Sequence, residues 1–178
     1  MVKAIYKRNI DLSNKGNVGM SKVKTNAMRI LDSNKIAYKM LSYETKKGEH
    51  MDGVEVAHQI GRDVSQVYKT LVAQGSSKEI YVYVIPVNEN LDLKKAAKVA
   101  SEKSVAMINV NDINKFTGYI RGGCSPVGMK KLYKTFINET AKELTTMIVS
   151  AGKIGYQIEL NPIDLQEIIK CKFEDIIK

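Results

Sequence analysis

Two runs rich in β-branched and aromatic residues, "YKTLVAQG" at 68–75 and "IYVYVIPV" at 80–87, are separated by the turn-like "GSSKE". Such residues suit a pleated, half-buried surface, and so short a connection can only return the chain antiparallel to itself. A β-hairpin is therefore expected here. Around it the pattern alternates between periods. "AYKMLSYE", "VAMINV", "KTFINET", "TTMIVSAG" and "YQIELN" read as strands. Helical spacing appears from Val23 onward at Ala27, Ile30 and Leu31, in "GVEVAHQIG", in "LDLKKAAKVASEK" with Asp92 as its N-cap, and in "PIDLQEIIKC" with Pro162 in its first turn; "NDINKFTG" adds a helical turn. Strands interleaved with helices but often joined by short turns predict an α/β (α+β) fold with a mixed sheet.

The 178 residues suffice for one domain with a sizeable core. The first nineteen, rich in Asn, Lys, Ser and Gly and followed by Met20, read as a leader, and residues 20–178 as the domain. The start lacks the apolar core of a secretory signal, and no apolar run is long enough to cross a bilayer, so the expected location is the cytoplasm. Lys and Arg number 28 against 19 Asp and Glu, a formal charge of +9. That excess favours a polyanionic partner through phosphate contacts, and equally serves solubility.

Cys124 and Cys171 form no CxxC pair, and His50 and His58 have no carboxylate or cysteine at ligand spacing. Neither a metal nor another cofactor is expected. The stretch "TGYIRGGCSPVGMKK" at 117–131 places glycines at 118, 122, 123 and 128, and "SAGKIG" at 150–155 follows a strand in the same way. Glycine-rich loops allow positive φ and let a ligand approach backbone N–H groups, which can hold an oxyanion. The spacing fits neither GxxxxGK[ST] nor GxGxxG, so a nucleotide phosphate loop is not supported, and a purely structural turn is the equal alternative. Lys69, between apolar residues, either faces solvent or enters a site where its charge binds an anion; strand alternation sets Tyr68 and Thr70 on the opposite face. Cys124 reads as a packed thiol or a nucleophile.

"VYKTLV", "LDLKKAAK", "TGYIRGGCSPVGMKK" and "VSAGKIGYQIELNPIDL", in this order, resemble the YbaK/EbsC family of aminoacyl-tRNA deacylases, over about residues 23–178. The resemblance implies a sheet curled into a partly closed barrel with surrounding helices. It also implies trans-editing: hydrolysis of mischarged Cys-tRNA(Pro), the second check needed where a synthetase pocket cannot exclude a small wrong amino acid. By the same resemblance, Lys69 is the functional lysine, Gly122 and Gly123 present carbonyl-binding amides, and Tyr43, Thr70, Ser125 and Ser150 line the substrate site. The reaction expected from the family is attack by the substrate's own thiol on its ester. The implied partners are mischarged tRNA and, in a transient ternary complex, prolyl-tRNA synthetase.

Three positions depart from the family pattern, the first being Cys124, which stands where the family is often aliphatic and so favours packing. Gln157 stands where an aspartate is expected, and Arg121 beside the glycine loop adds a candidate phosphate contact. Gln157 keeps open a deacylase for Ala-tRNA(Pro) or another mischarged tRNA, and a non-catalytic module that binds tRNA or synthetase is a separate alternative.

Overall fold

The computed structural model describes residues 23–47 and 49–178, so the expected leader, residues 1–19, lies outside the described residues. The elements run α1 (Asn26–Ser33), β1 (Tyr38–Ser42), α2 (Gly53–Gln59), β2 (Tyr68–Gly75), β3 (Ile80–Pro86), α3 (Leu93–Val99), β4 (Val105–Met107) and α4 (Ile113–Thr117). There follow β5 (Lys134–Asn138), β6 (Met147–Ser150), β7 (Tyr156–Leu160), α5 (Pro162–Ile169) and β8 (Lys172–Glu174).

The hairpin forms as its sequence predicts, with Val72 opposite Val82. Its second strand is buried on both faces, which explains the nearly unbroken apolar run. On one face Val82 and Val84 join Met28 and Leu31 of α1 and Leu165 of α5. On the other, Tyr81, Tyr83 and Ile85 pack against Ala96 and Ala97 of α3, and the Tyr83 hydroxyl donates to the Ala96 carbonyl at 2.9 Å. Small residues on α3 let the helix approach the two tyrosines. Leu31 is fully buried, and its truncation to alanine in such a core costs about 2–5 kcal/mol.

Helix starts follow local chemistry. The Asp92 side chain accepts from the Lys94 and Lys95 N–H groups, and the Asn161 side chain caps α5 ahead of Pro162.

Among the described residues the strands divide into two sheets, ordered β1-β7-β6 and β4-β2-β3-β5-β8. The β3–β5 and β5–β8 ladders are parallel and the others antiparallel, a mixed and largely antiparallel arrangement. Neither sheet closes on itself. A lone parallel bridge between Val67 and Ile148 joins them at one corner. Helix α2 covers that corner through Ala57, packed with Val67, Val87 and Ile148. A Cβ on Gly53 would lie 2.5 Å from Val87 Cγ1, so only glycine lets the start of α2 sit this close.

Among the described residues, no helix is long and apolar enough to cross a membrane.

Candidate active site

The corner where the sheets meet opens into a cavity of about 460 Å³. Its walls come from the start of β2, the start of α2, the end of β6, β7 and the glycine loop. Of the residues expected from sequence, Tyr43, Lys69, Thr70, Arg121, Gly122, Ser150 and Gln157 line it. Tyr68, Lys69 and Thr70 all border the space, so residues that strand alternation sets on opposite faces reach the same cavity. The cavity wraps the start of β2 at the joint between sheets, so both strand faces contribute.

Lys69 is held by a donor bond from its ammonium to the Val87 carbonyl at 3.3 Å. Burial is the largest influence on it and pushes its pKa below the ordinary 10.5, against the upward pull of the Asp52 and Glu89 carboxylates. Its ammonium form carries three donors, of which the Val87 carbonyl takes one.

Thr70 Oγ1 is buried without a hydrogen-bond partner among the described residues. A native structure rarely leaves such an atom unpaired. Ser150 and Gln157 face each other across the β6–β7 ladder. The Ser150 hydroxyl accepts from the Gly152 N–H at 3.2 Å. Gln157 is buried and makes no side-chain hydrogen bond among the described residues, which leaves its amide for the cavity.

In the glycine loop the expectation needs a correction. The Gly123 N–H donates to the Ile120 carbonyl at 3.0 Å, so it closes a turn and is not free for a substrate carbonyl. Ser125 is fully buried, accepts from the Val127 N–H at 3.2 Å, and is absent from the cavity wall, as is Gly123. These two shape the loop. The N–H groups of Gly122 and Cys124 bond to no described residue, and both residues line the cavity.

Cys124 is a poor nucleophile. Burial pushes its thiol up to about 11, with the Thr117 hydrogen bond pulling weakly the other way. His50 lines the cavity as an exposed side chain, whereas His58 does not. No cluster of His, Cys, Asp and Glu able to hold a metal occurs among the described residues.

Sequence reasoning missed the Val87 carbonyl and the apolar wall of Met107, Ile108, Val110 and Ile113. Nothing in "MINVNDI" marks it as a wall; only the pairing of β4 with β2 brings it there. The whole arrangement offers a cation, free backbone N–H groups and unpaired polar side chains in a partly apolar recess. It can bind an oxygen-rich group and stabilise charge on a carbonyl, and the side chains include no activated nucleophile.

The model of the family described as the aminoacyl-tRNA editing domain matches residues 47–168. A protein of Enterococcus faecalis, EbsC, whose name gives it provisionally as a Cys-tRNA(Pro)/Cys-tRNA(Cys) deacylase, is 42% identical over 153 residues, 86% of this chain and 93% of that protein. A crystal structure described, also provisionally, as a trans-editing enzyme for prolyl tRNA synthetase superposes with a TM-score of 0.75 at 19% identity, covering 88% of this chain and 99% of that one. Another, of a hypothetical protein, gives 0.76 at 19% identity over 84% and 97% of the two chains. At these identities the structural matches speak for the fold alone.

Proposed function

Because the chain belongs to the aminoacyl-tRNA editing domain family, we propose that it is a trans-editing deacylase that clears cysteine from Cys-tRNA(Pro). Its domain is residues 20–178 and its place of action the cytoplasm. The observation that carries the reading is a cavity with a held cation, Lys69, and unoccupied backbone donors, beside a cysteine kept as thiol. Such a site suits a substrate that brings its own nucleophile.

In the proposed reaction the cysteinyl sulfur attacks the ester carbonyl of its own aminoacyl group. A C–S bond forms, the bond from the carbonyl carbon to the ribose oxygen breaks, and the thiol proton ends on that oxygen. The products are a cyclic thiolactone, which water later opens, and tRNA with a free terminal hydroxyl. Lys69 binds the terminal adenosine or its phosphate and sets the ester beside the loop. The N–H groups of Gly122 and Cys124 receive the charge that develops on the carbonyl oxygen, the interaction that lowers the barrier most in acyl transfer. Tyr43, Thr70, Ser150 and Gln157 contact the aminoacyl group, Arg121 a phosphate. Gly123 and Ser125 hold the loop in shape.

Gln157 supplies an amide where a carboxylate would attract the substrate's ammonium, so recognition here relies on hydrogen bonding. A transient complex with prolyl-tRNA synthetase and tRNA belongs to the same reading, supported by the fold shared with the structure described as an editing enzyme for that synthetase.

The test is to methylate the sulfur of the cysteinyl group on tRNA(Pro). The blocked substrate should bind but not be released. Release at the unblocked rate would exclude thiol assistance.

A further inference from the structure

From Ile113 to Asn138 the chain carries Lys115, Arg121, Lys130, Lys131 and Lys134 and not one aspartate or glutamate. The fold concentrates this charge. Residues 117–130 form a closed surface loop of the Ω kind. The Lys130 N–H donates to the Thr117 carbonyl at 3.2 Å, and the Tyr119 hydroxyl donates to the Val127 carbonyl at 2.5 Å. The Lys130 ammonium reaches the Lys115 carbonyl at 3.3 Å, so residues far apart in sequence become neighbours.

The ion pairs among the described residues are Lys24–Asp32, Arg62–Glu159 and Lys95–Asp175, none of them in this loop. The same segment exposes large apolar side chains, Ile120 at 57% and Leu132 at 64%. Its inner side is the cavity wall through Arg121, Gly122 and Cys124. Uncompensated lysines interleaved with exposed apolar residues are the composition that suits a nucleic acid, the cations meeting phosphates and the apolar groups meeting bases or riboses.

We propose that Lys115, Lys130 and Lys131, with Ile120 and Leu132, form the surface on which the RNA of the aminoacylated substrate lies as it enters the cavity. The inference rests on the deacylase reading and adds the direction from which the polyanion approaches. A loop already closed by its own hydrogen bonds loses little freedom when it binds, which makes a surface contact more effective. The rival basic surface is the shallow groove of Lys94, Lys98 and Lys103 beside α3. It also contains the Glu102 carboxylate, whose pKa falls to about 2 through bonds from Ser77, Tyr81 and Ser76 and which therefore stays charged and repels phosphate.

The test compares the full-length protein with two triple variants, Lys115→Gln/Lys130→Gln/Lys131→Gln and the charge-matched Lys94→Gln/Lys98→Gln/Lys103→Gln. Binding of uncharged tRNA(Pro) is followed by fluorescence anisotropy over a salt series. Deacylation is measured on Cys-tRNA(Pro) and on 3′-O-cysteinyl adenosine, which has no RNA backbone.

The loop variant should weaken tRNA binding about tenfold and flatten the slope of log affinity against log salt by about 2, close to the 0.7–0.9 expected per lost phosphate contact. Its KM for Cys-tRNA(Pro) should rise with kcat unchanged, and its rate on the adenosine ester should match wild type. Single Lys131→Gln, an exposed position, should flatten the slope by about 1 and decides the matter if the triple variant is unstable. Unchanged affinity and slope in the loop variants, or a larger loss in the α3 variant, would overturn the proposal. Salt-dependent tRNA binding through the loop by a protein that cleaves no ester would support the surface and count against the deacylase reading instead.

Discussion

Gly122 sits against His50 so closely that a Cβ on the glycine would lie 3.0 Å from the imidazole Cδ2. Its φ of +83° is also one that L residues rarely adopt. Both conditions hold the loop backbone at the cavity wall. Gly122→Ala should therefore lower stability by about 1–2 kcal/mol from the left-handed backbone alone and displace the N–H groups of Gly122 and Cys124. Denaturant midpoints and kcat/KM should both fall. The double variant with His50→Ala should recover part of the stability, because it removes the contact but not the backbone strain; no recovery would mean the contact is unimportant.

Thr70 separates function from stability. Its hydroxyl is buried and unpaired, and an unsatisfied polar group of this kind costs about 1–3 kcal/mol. Thr70→Val keeps the shape and removes the cost. Thermal unfolding should move up or stay level while kcat/KM falls. A variant that loses stability would show that the hydroxyl is satisfied in the free protein.

Cys124 should be dispensable as a nucleophile, because at neutral pH a thiol held at about 11 is almost entirely protonated. Cys124→Ala is expected to keep kcat within about threefold, under 1 kcal/mol in barrier. A loss of several orders of magnitude would assign it the covalent step.

Much of the fold could be read locally. The β2–β3 hairpin, the Asp92 cap of α3 and the Pro162 start of α5 each depend on residues within a turn of one another. The division into two sheets could not. The parallel ladders of β3 with β5 and β5 with β8 join segments many residues apart, and β8 itself is short enough to leave no periodic signal. The site divides in the same way. Lys69 and the glycine loop stand out as residue types, but the competition for the Gly123 N–H by Ile120, and the wall supplied after β4, follow only from the folded chain.

Glu159 gives a pH test of the scaffold. It accepts from Arg62 at 2.9 Å and from Thr146 at 2.8 Å, tying β7 to the turn that follows α2 and to the residue before β6. Burial acts to raise its pKa, but the bonds from Arg62 and Thr146 outweigh it and leave the carboxyl below the ordinary 4.5. A carboxyl depressed on folding adds stability above its unfolded pKa and loses that contribution as pH falls through the folded one. Glu159→Gln should cost about 1–3 kcal/mol at pH 7, and its deficit against wild type should shrink as pH drops below 4.5. A deficit constant with pH would show that the charge does not contribute.

The central claim is a lysine-dependent site whose substrate supplies the nucleophile. The most direct measurement is deacylation of Cys-tRNA(Pro) and Ala-tRNA(Pro) side by side, with wild type and with Lys69→Ala. Wild type should release cysteine and leave alanine in place, and Lys69→Ala should lose at least about a hundredfold in rate, roughly 2.7 kcal/mol of barrier, while keeping its fold. Equal release of alanine, or full activity without Lys69, would contradict the account.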